Sequence, residues 1–225
     1  DLPPSWTGMD AWVAAVCVNT VEADKHNLPT PASWKDLTNP VYQGHLAMPN
    51  PNSSGTGFLD VSSWLQIFGE DGGWAFMDQL HENIDHYTHS GSKPCKQAAR
   101  GEVAIGISFA FRGAKSKAKG APLEIIIPTE GIGWDMEATA IVKGTKKLDA
   151  AKTLADWSVT EKANQMYNEG YDVIGIQRLA KPVKYFPDNI PEMMIDNDFE
   201  WAAQNRKRIL AKWQSRYDSK SEPKS

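Results

Sequence analysis

Apolar and polar positions alternate along the chain in a way that switches repeatedly between strand and helix. Trp12-Val-Ala-Ala-Val-Cys-Val18 is a nearly continuous apolar run rich in valine, which predicts a strand buried on both faces. A loop rich in Pro, Asn and Thr follows, and Pro31–Leu37 reads as a short helix capped by Ser33. Gly44–Met48 predicts a second short strand, and the turn-rich Pro49–Gly57 opens a helix. In that helix Phe58, Leu59, Val61, Trp64, Leu65 and Phe68 keep an approximate i, i+3, i+4 rhythm. Gly72–Glu82 is a further amphipathic helix with Trp74, Met77 and Leu80 on one face. Ile84–Thr88 reads as a strand, Ser90–Pro94 as a loop and Cys95–Gly101 as a helix.

The alternation continues with a strand at Val103–Ile107, a helix at Phe109–Lys119 and a strand at Leu123–Ile127, closed by Pro128. Met136–Val142 is another strand, followed by helices near Leu148–Ser158 and Thr160–Glu169. After an irregular, Pro-containing stretch, Phe199–Tyr217 reads as a long helix, with a frayed tail beyond it. Strands alternating with helices imply an α/β fold, a mixed sheet covered on both faces.

Composition narrows the class. The 225 residues are 41% hydrophobic and 23% charged, as in a globular protein of one large or two modest domains. A net charge of −4 gives no basic face for nucleic acid. No apolar run approaches the roughly 20 residues that span a bilayer. Nine tryptophans spread along the chain predict several aromatic-anchored cores or a ligand pocket. Cys17 and Cys95 fit either one disulfide or two buried thiols. No Cys/His cluster has zinc-ligand spacing, so no metal and no cofactor is expected.

Three segments carry candidate chemistry. In Asn52-Ser-Ser-Gly-Thr-Gly57, small residues let backbone approach a ligand, and the helix that follows directs unpaired N–H groups at the loop. Ser53, Ser54 and Thr56 add hydroxyls around Gly55, a set suited to phosphate, phosphonate, sulfate or carboxylate, and equally to an ordinary helix cap. Ser90-Gly-Ser92 also precedes a helix and offers donors to the same anion if both loops reach one sheet edge. Glu130–Glu137 places Trp134, Asp135 and Glu137 between two strands, where carboxylates and an indole suit an ammonium or simply make an acidic turn. Anion donors together with an acid–aromatic site describe a receptor for a small zwitterion. No nucleophile-elbow pattern or paired His supports an enzyme.

Six segments then carry a resemblance: Trp6–Trp12, Pro31–Leu37, Ala47–Gly57, Tyr87–Cys95, Gly101–Ser108 and Gly131–Ala138. They occur in the order seen in type 2 periplasmic binding proteins, a group that includes ferric-ion, thiamine and polyamine receptors. The chain most resembles the 2-aminoethylphosphonate-binding subgroup, over essentially its whole length, including Trp213–Tyr217 and Lys220–Lys224. The resemblance implies two α/β lobes joined by two crossing strands. Residues 1–17 would hold a crossover and part of the first lobe, 18–128 the complete second lobe, and 129–225 the return crossover and the C-terminal part of the first. The rest of the first lobe, roughly a hundred residues in the family, would lie outside this sequence, as would a signal peptide.

By position, Ser53, Ser54, Gly55 and Thr56 match the family's anion-binding loop, and Ser90 with Ser92 its second loop. Asp135 and Glu137 occupy the stretch that holds the amine in polyamine receptors. Phe109-Ala-Phe111 stands where ferric receptors carry adjacent tyrosines, which argues against iron. The resemblance further implies a periplasmic, monomeric, non-catalytic receptor that hands 2-aminoethylphosphonate to an ABC permease. A polyamine or phosphate ester is the alternative cargo, and a phosphate-ester hydrolase the alternative activity. An oxidising compartment then favours a Cys17–Cys95 disulfide.

Overall fold

The computed structural model describes residues 6–188 and 190–223; Lys224 of the C-terminal motif and residues 1–5 of the first segment lie outside these. The chain runs through β1 (Trp6–Asn19), α1 (Thr20–His26), β2 (Leu46–Pro49), α2 (Gly55–Asn83), β3 (Ile84–Thr88), α3 (Lys93–Ala99), β4 (Ile105–Phe109) and α4 (Ala110–Lys117). It continues through β5 (Leu123–Ile126), β6 (Trp134–Ala140), α5 (Leu148–Ser158), α6 (Glu161–Tyr167), β7 (Val173–Ile174), α7 (Ile190–Met193) and α8 (Phe199–Tyr217). The expected mixed α/β architecture is present.

β1 organises the sheet. Its C-terminal half pairs antiparallel with β4 through Ala14–Val18 and with β5 through Val16–Asn19. Beyond β4 lie β2 and β3, all three parallel to one another, giving the order β3-β2-β4-β1-β5. The N-terminal half of β1 instead pairs with β6 through Trp6–Val13 and with β7 at Asp10 and Ala11. The apolar run Val13–Val18 is fully buried, as a strand covered on both faces requires.

Several elements differ from the sequence expectation for identifiable reasons. β1 starts six residues before Trp12, because pairing with β6 and β7 extends a segment with little strand pattern of its own. α1 was expected as loop: it buries only Ala23, and it forms because the Asn19 side chain accepts the N–H groups of Val21 and Glu22. The expected Pro31–Leu37 helix is a 3₁₀ turn at Lys35–Thr38, although Ser33 Oγ does accept the Asp36 N–H at 3.0 Å. The two expected helices after Pro49 form one run, broken only at Gly69, whose φ of 74° breaks the helical course. The described part of the tail beyond α8, through residue 223, is tied down rather than frayed. Lys220 Nζ donates to the carbonyls of His81 and Ile84, each at 2.6 Å, and Ser221 bridges Tyr87.

The main core lies between the sheet and α2 and α8. Trp34 packs edge-on against Trp64 at 5.3 Å, and Trp213 against Tyr87 at 4.8 Å. Fully burying a side chain of this kind contributes about 1.5–3 kcal/mol. A smaller cluster on the opposite side contains Cys17 of β1 and Cys95 of α3, whose Cα atoms are 5.5 Å apart and whose thiols form the expected disulfide.

Candidate ligand-binding site

The serine loop is built where β2 turns into α2. Asn50 fixes the turn: its Oδ1 accepts the Asn52 N–H at 2.8 Å and its carbonyl accepts the Ser53 and Ser54 N–H groups. Ser54 has extended backbone and its Oγ accepts the Gly57 N–H at 3.3 Å, so it is the N-cap of α2. The N–H groups of Gly55 and Thr56 have no acceptor among the described residues and remain at the positive end of the helix.

The second loop folds directly onto the first. Thr88 Oγ1 donates to the Ser90 carbonyl at 2.8 Å, and Ser108 Oγ donates to the Gly91 carbonyl at 2.6 Å. Gly91 then lies so close to α2 that a Cβ would collide with Thr56 Oγ1 and sit 2.9 Å from Ser54 Oγ. Ser90 Oγ is 3.3 Å from Ser92 Oγ. The structure therefore brings together Ser53, Ser54, Gly55, Thr56, Ser90 and Ser92. Ser54 and Thr56 are buried, while Ser53 and Ser90 face solvent.

A histidine that the sequence reading did not single out completes this loop. His89 Nδ1 lies 2.7 Å from Ser53 Oγ, and Nε2 lies 2.9 Å from the Glu222 carbonyl oxygen. A carbonyl only accepts, so Nε2 carries hydrogen; on the neutral ring, Nδ1 therefore accepts the Ser53 hydroxyl proton. Glu222 Oε1 accepts the His89 N–H at 2.9 Å, and Oε2 pairs with Lys93. Burial pushes the Glu222 carboxyl up, but hydrogen bonds from Lys93 and the His89 amide outweigh it and hold it below the ordinary carboxylate value.

The third predicted group is divided. Along β6 successive side chains face opposite ways. Trp134 donates its indole N–H to the Ile195 carbonyl at 2.8 Å and packs edge-on against Phe199 at 4.9 Å, so it anchors the 195–199 segment. Asp135 lies opposite Trp12, is half-buried, and its Oδ1 accepts the Met136 N–H at 2.8 Å. Burial raises its pKa. Glu137 lies opposite Asp10, and its Oε1 accepts the Tyr171 hydroxyl at 3.0 Å.

Glu137 and Asp10 line a cavity of about 520 Å³ with Phe111, Tyr167 and Tyr171. A row of rings runs from Trp12 of β1 to this cavity. Trp12 meets Phe109, the neighbour of Ser108, at 5.9 Å; Phe109 meets Phe111 at 6.4 Å; Phe111 stacks on Tyr171 at 4.9 Å. Asp10 is 5% exposed, and burial followed by the charge of Glu137 raises its pKa from 3.8 to about 7. Among the described residues, no group of three or more His, Cys, Asp or Glu side chains is placed to hold a metal ion.

A family model described as bacterial extracellular solute-binding protein matches residues 3–206. The chain belongs to that family. It is 33% identical over 203 residues to an uncharacterized protein of Haemophilus influenzae, covering 87% of this chain and 58% of that one. Among solved structures it resembles the periplasmic binding protein AfuA of Actinobacillus pleuropneumoniae, solved with exogenous fructose-6-phosphate bound. The TM-score is 0.86 at 31% identity, covering 95% of this chain and 68% of AfuA. The periplasmic binding protein P5PA matches with a TM-score of 0.84 at 27% identity, covering 95% of this chain and 69% of P5PA. The chain thus spans 58% of the length of the Haemophilus relative. The family and the two solved neighbours are binding proteins rather than enzymes.

Proposed function

We propose that this chain supplies the anion-binding part of a non-catalytic, exported receptor that delivers a small phosphorus oxyanion to an ABC permease. The observation that carries this reading is the contact of the two serine loops at Gly91, which gathers hydroxyls around the unpaired N–H groups of α2. Preorganised N–H and O–H donors at a helix N-terminus replace the water around an oxyanion without needing a basic side chain. The Cys17–Cys95 disulfide suits an oxidising compartment such as the periplasm.

The proposed cargo is 2-aminoethylphosphonate, its phosphonate on Ser53–Thr56 and Ser90–Ser92, its ammonium toward Asp135 and Glu137. A sugar phosphate is the second reading, favoured by the likeness to AfuA with fructose-6-phosphate. Calorimetry with 2-aminoethylphosphonate, ethylphosphonate, fructose-6-phosphate and inorganic phosphate separates them. The first reading expects the aminophosphonate to bind at least about tenfold more tightly than the other three, a difference of about 1.4 kcal/mol. Tighter binding of the sugar phosphate selects the second.

The Ser53–His89 pair raises the question of hydrolysis. His89 Nε2 is held by the Glu222 main-chain carbonyl, while the Glu222 carboxylate takes the His89 main-chain N–H and Lys93, so the pair lacks the carboxylate–imidazole hydrogen bond of a catalytic triad. A chromogenic phosphate ester is therefore expected to survive incubation with the protein; turnover lost with Ser53→Ala would replace the receptor reading.

A further inference from the structure

We propose that the cavity beside β1 and β6 is a binding site for a small primary ammonium, held between the carboxylates of Asp10 and Glu137. The two residues lie directly opposite each other across the antiparallel pair. Like charges in that position destabilise a sheet unless something of opposite sign lies between them. Asp10 is 5% exposed, and its Oδ1 has no hydrogen-bond partner. Among the described residues, no Lys, Arg or His forms an ion pair with either carboxylate. A buried acid without a partner is costly, and a cation arriving in the cavity removes that cost. Burial and the neighbouring charge of Glu137 already push the Asp10 carboxyl up, as this strain predicts.

The walls select the kind of cation. Phe111 and Tyr171 stack at 4.9 Å and line the same cavity as the acids, and Phe111 already draws Arg112 and Lys115 to within 5.7 and 5.3 Å of its ring centre, so this wall favours a positive charge. Tyr171 donates to Glu137 Oε1, which orients that carboxylate. Hard divalent cations need six or more oxygens; the lining carries the carboxylates of Asp10, Glu137 and Glu169, and among the described residues no three such groups are placed together to hold a metal ion. An ammonium on a short organic chain fits both the carboxylate acceptors and a volume of about 520 Å³. Two lysines of the chain also line the cavity: Lys115 lies over Phe111 with Nζ 5.3 Å from the ring centre, and neither it nor Lys184 forms an ion pair with Asp10 or Glu137.

The inference deepens the proposed zwitterionic cargo and rests on that reading for the ligand's identity, but Asp10 takes the role the sequence suggested for Asp135. Its observations are separate from the serine loops, so the two readings fail separately. The test uses the protein with 2-aminoethylphosphonate, ethylphosphonate and millimolar ethanolamine, read by calorimetry and thermal melting. Asp10→Asn is expected to weaken the aminophosphonate by about tenfold or more, leave ethylphosphonate within about twofold, and abolish the melting shift given by ethanolamine. Glu137→Gln, at an exposed position, carries the same expectation if Asp10→Asn does not fold. Should ethanolamine shift wild type but neither variant while both phosphonates fail to bind, the serine-loop reading falls and the ammonium site stands. An unchanged amine preference in both variants, equal losses for both phosphonates, or no ethanolamine effect on wild type overturns the ammonium site.

Discussion

The two halves of β1 support very different surroundings. Around the C-terminal half, Val13–Asn19 is buried throughout, the neighbouring loops are tied by a hydrogen bond to Ser54 Oγ and by hydrogen bonds from Thr88 and Ser108, and a disulfide joins the strand to α3. Around the N-terminal half, β6 is half-buried or exposed along its length and α5 buries only Ser158. Leu154 there is 61% exposed and Val142 77% exposed. The difference separates two ways of building a site. The serine loops are preorganised by bonds already made inside the chain, whereas Asp10 and Glu137 are placed by strand register and left with capacity for another group.

The largest expected effect tests the rigid half. Replacing Cys17 and Cys95 by serine opens a loop with a sequence separation of 78 residues. Closing a loop of that length in the unfolded chain is worth about 4.5 kcal/mol. Urea denaturation of Cys17→Ser/Cys95→Ser should show a loss of that order. A loss under about 1 kcal/mol would mean that packing of α3 on β4, not the crosslink, holds this half together.

The next effect comes from the other half. Asp10 binds its proton more tightly in the folded protein, with a pKa of about 7 against the ordinary 3.8. A raised pKa gives stability that is fully present below about pH 4 and is lost as pH rises through 7. The full shift corresponds to about 4 kcal/mol; allowing for screening by solvent, the expected fall is on the order of 3 kcal/mol. Chemical denaturation across this range should show the decline in wild type and a flatter profile in Asp10→Asn. Equal slopes in the two proteins would show that Asp10 ionises freely.

Ser54→Ala returns to the rigid half with a smaller effect. Ser54 both caps α2 and stands beside the proposed anion position. The substitution should lower stability by about 1 kcal/mol and weaken phosphonate binding by roughly 1–3 kcal/mol. Loss of stability with unchanged binding would reduce the loop to a helix cap.

Legibility followed the same division. α8 was readable to the residue because an Asp198 cap precedes a continuous apolar rhythm through Trp201, Ile209, Trp213 and Tyr217. The convergence of the serine loops was readable because both follow parallel strands that end at one sheet edge, although the same hydroxyl residues read equally as an ordinary helix cap. Asp10 was not readable as a site residue. In Gly8-Met-Asp-Ala11 it looks like part of a polar turn, and only the β1–β6 register sets it against Glu137. The Ser53–His89 contact joins residues 36 positions apart, which no local pattern encodes. Trp134 was grouped with the acids by adjacency, but strand alternation sends its indole to the Ile195 carbonyl.

The smallest expected effect is a near-absence of one, and it tests the comparison most directly. Leu154 and Ile107 are both aliphatic, but Leu154 is 61% exposed on α5 and Ile107 is 0% exposed on β4. Hydrophobic stabilisation follows the apolar area removed from water, and a substitution that leaves a cavity adds a packing loss. Ile107→Ala should therefore cost about 2–5 kcal/mol, whereas Leu154→Ser should stay within about 0.5 kcal/mol. Serine also has lower helix propensity than leucine, which accounts for a few tenths of that allowance. Both variants belong in the same urea titration, with the slope compared as well as the midpoint. A loss above about 1.5 kcal/mol for Leu154→Ser would mean that α5 is covered in solution, and the contrast between the two halves of β1 would then describe the isolated chain rather than the protein at work.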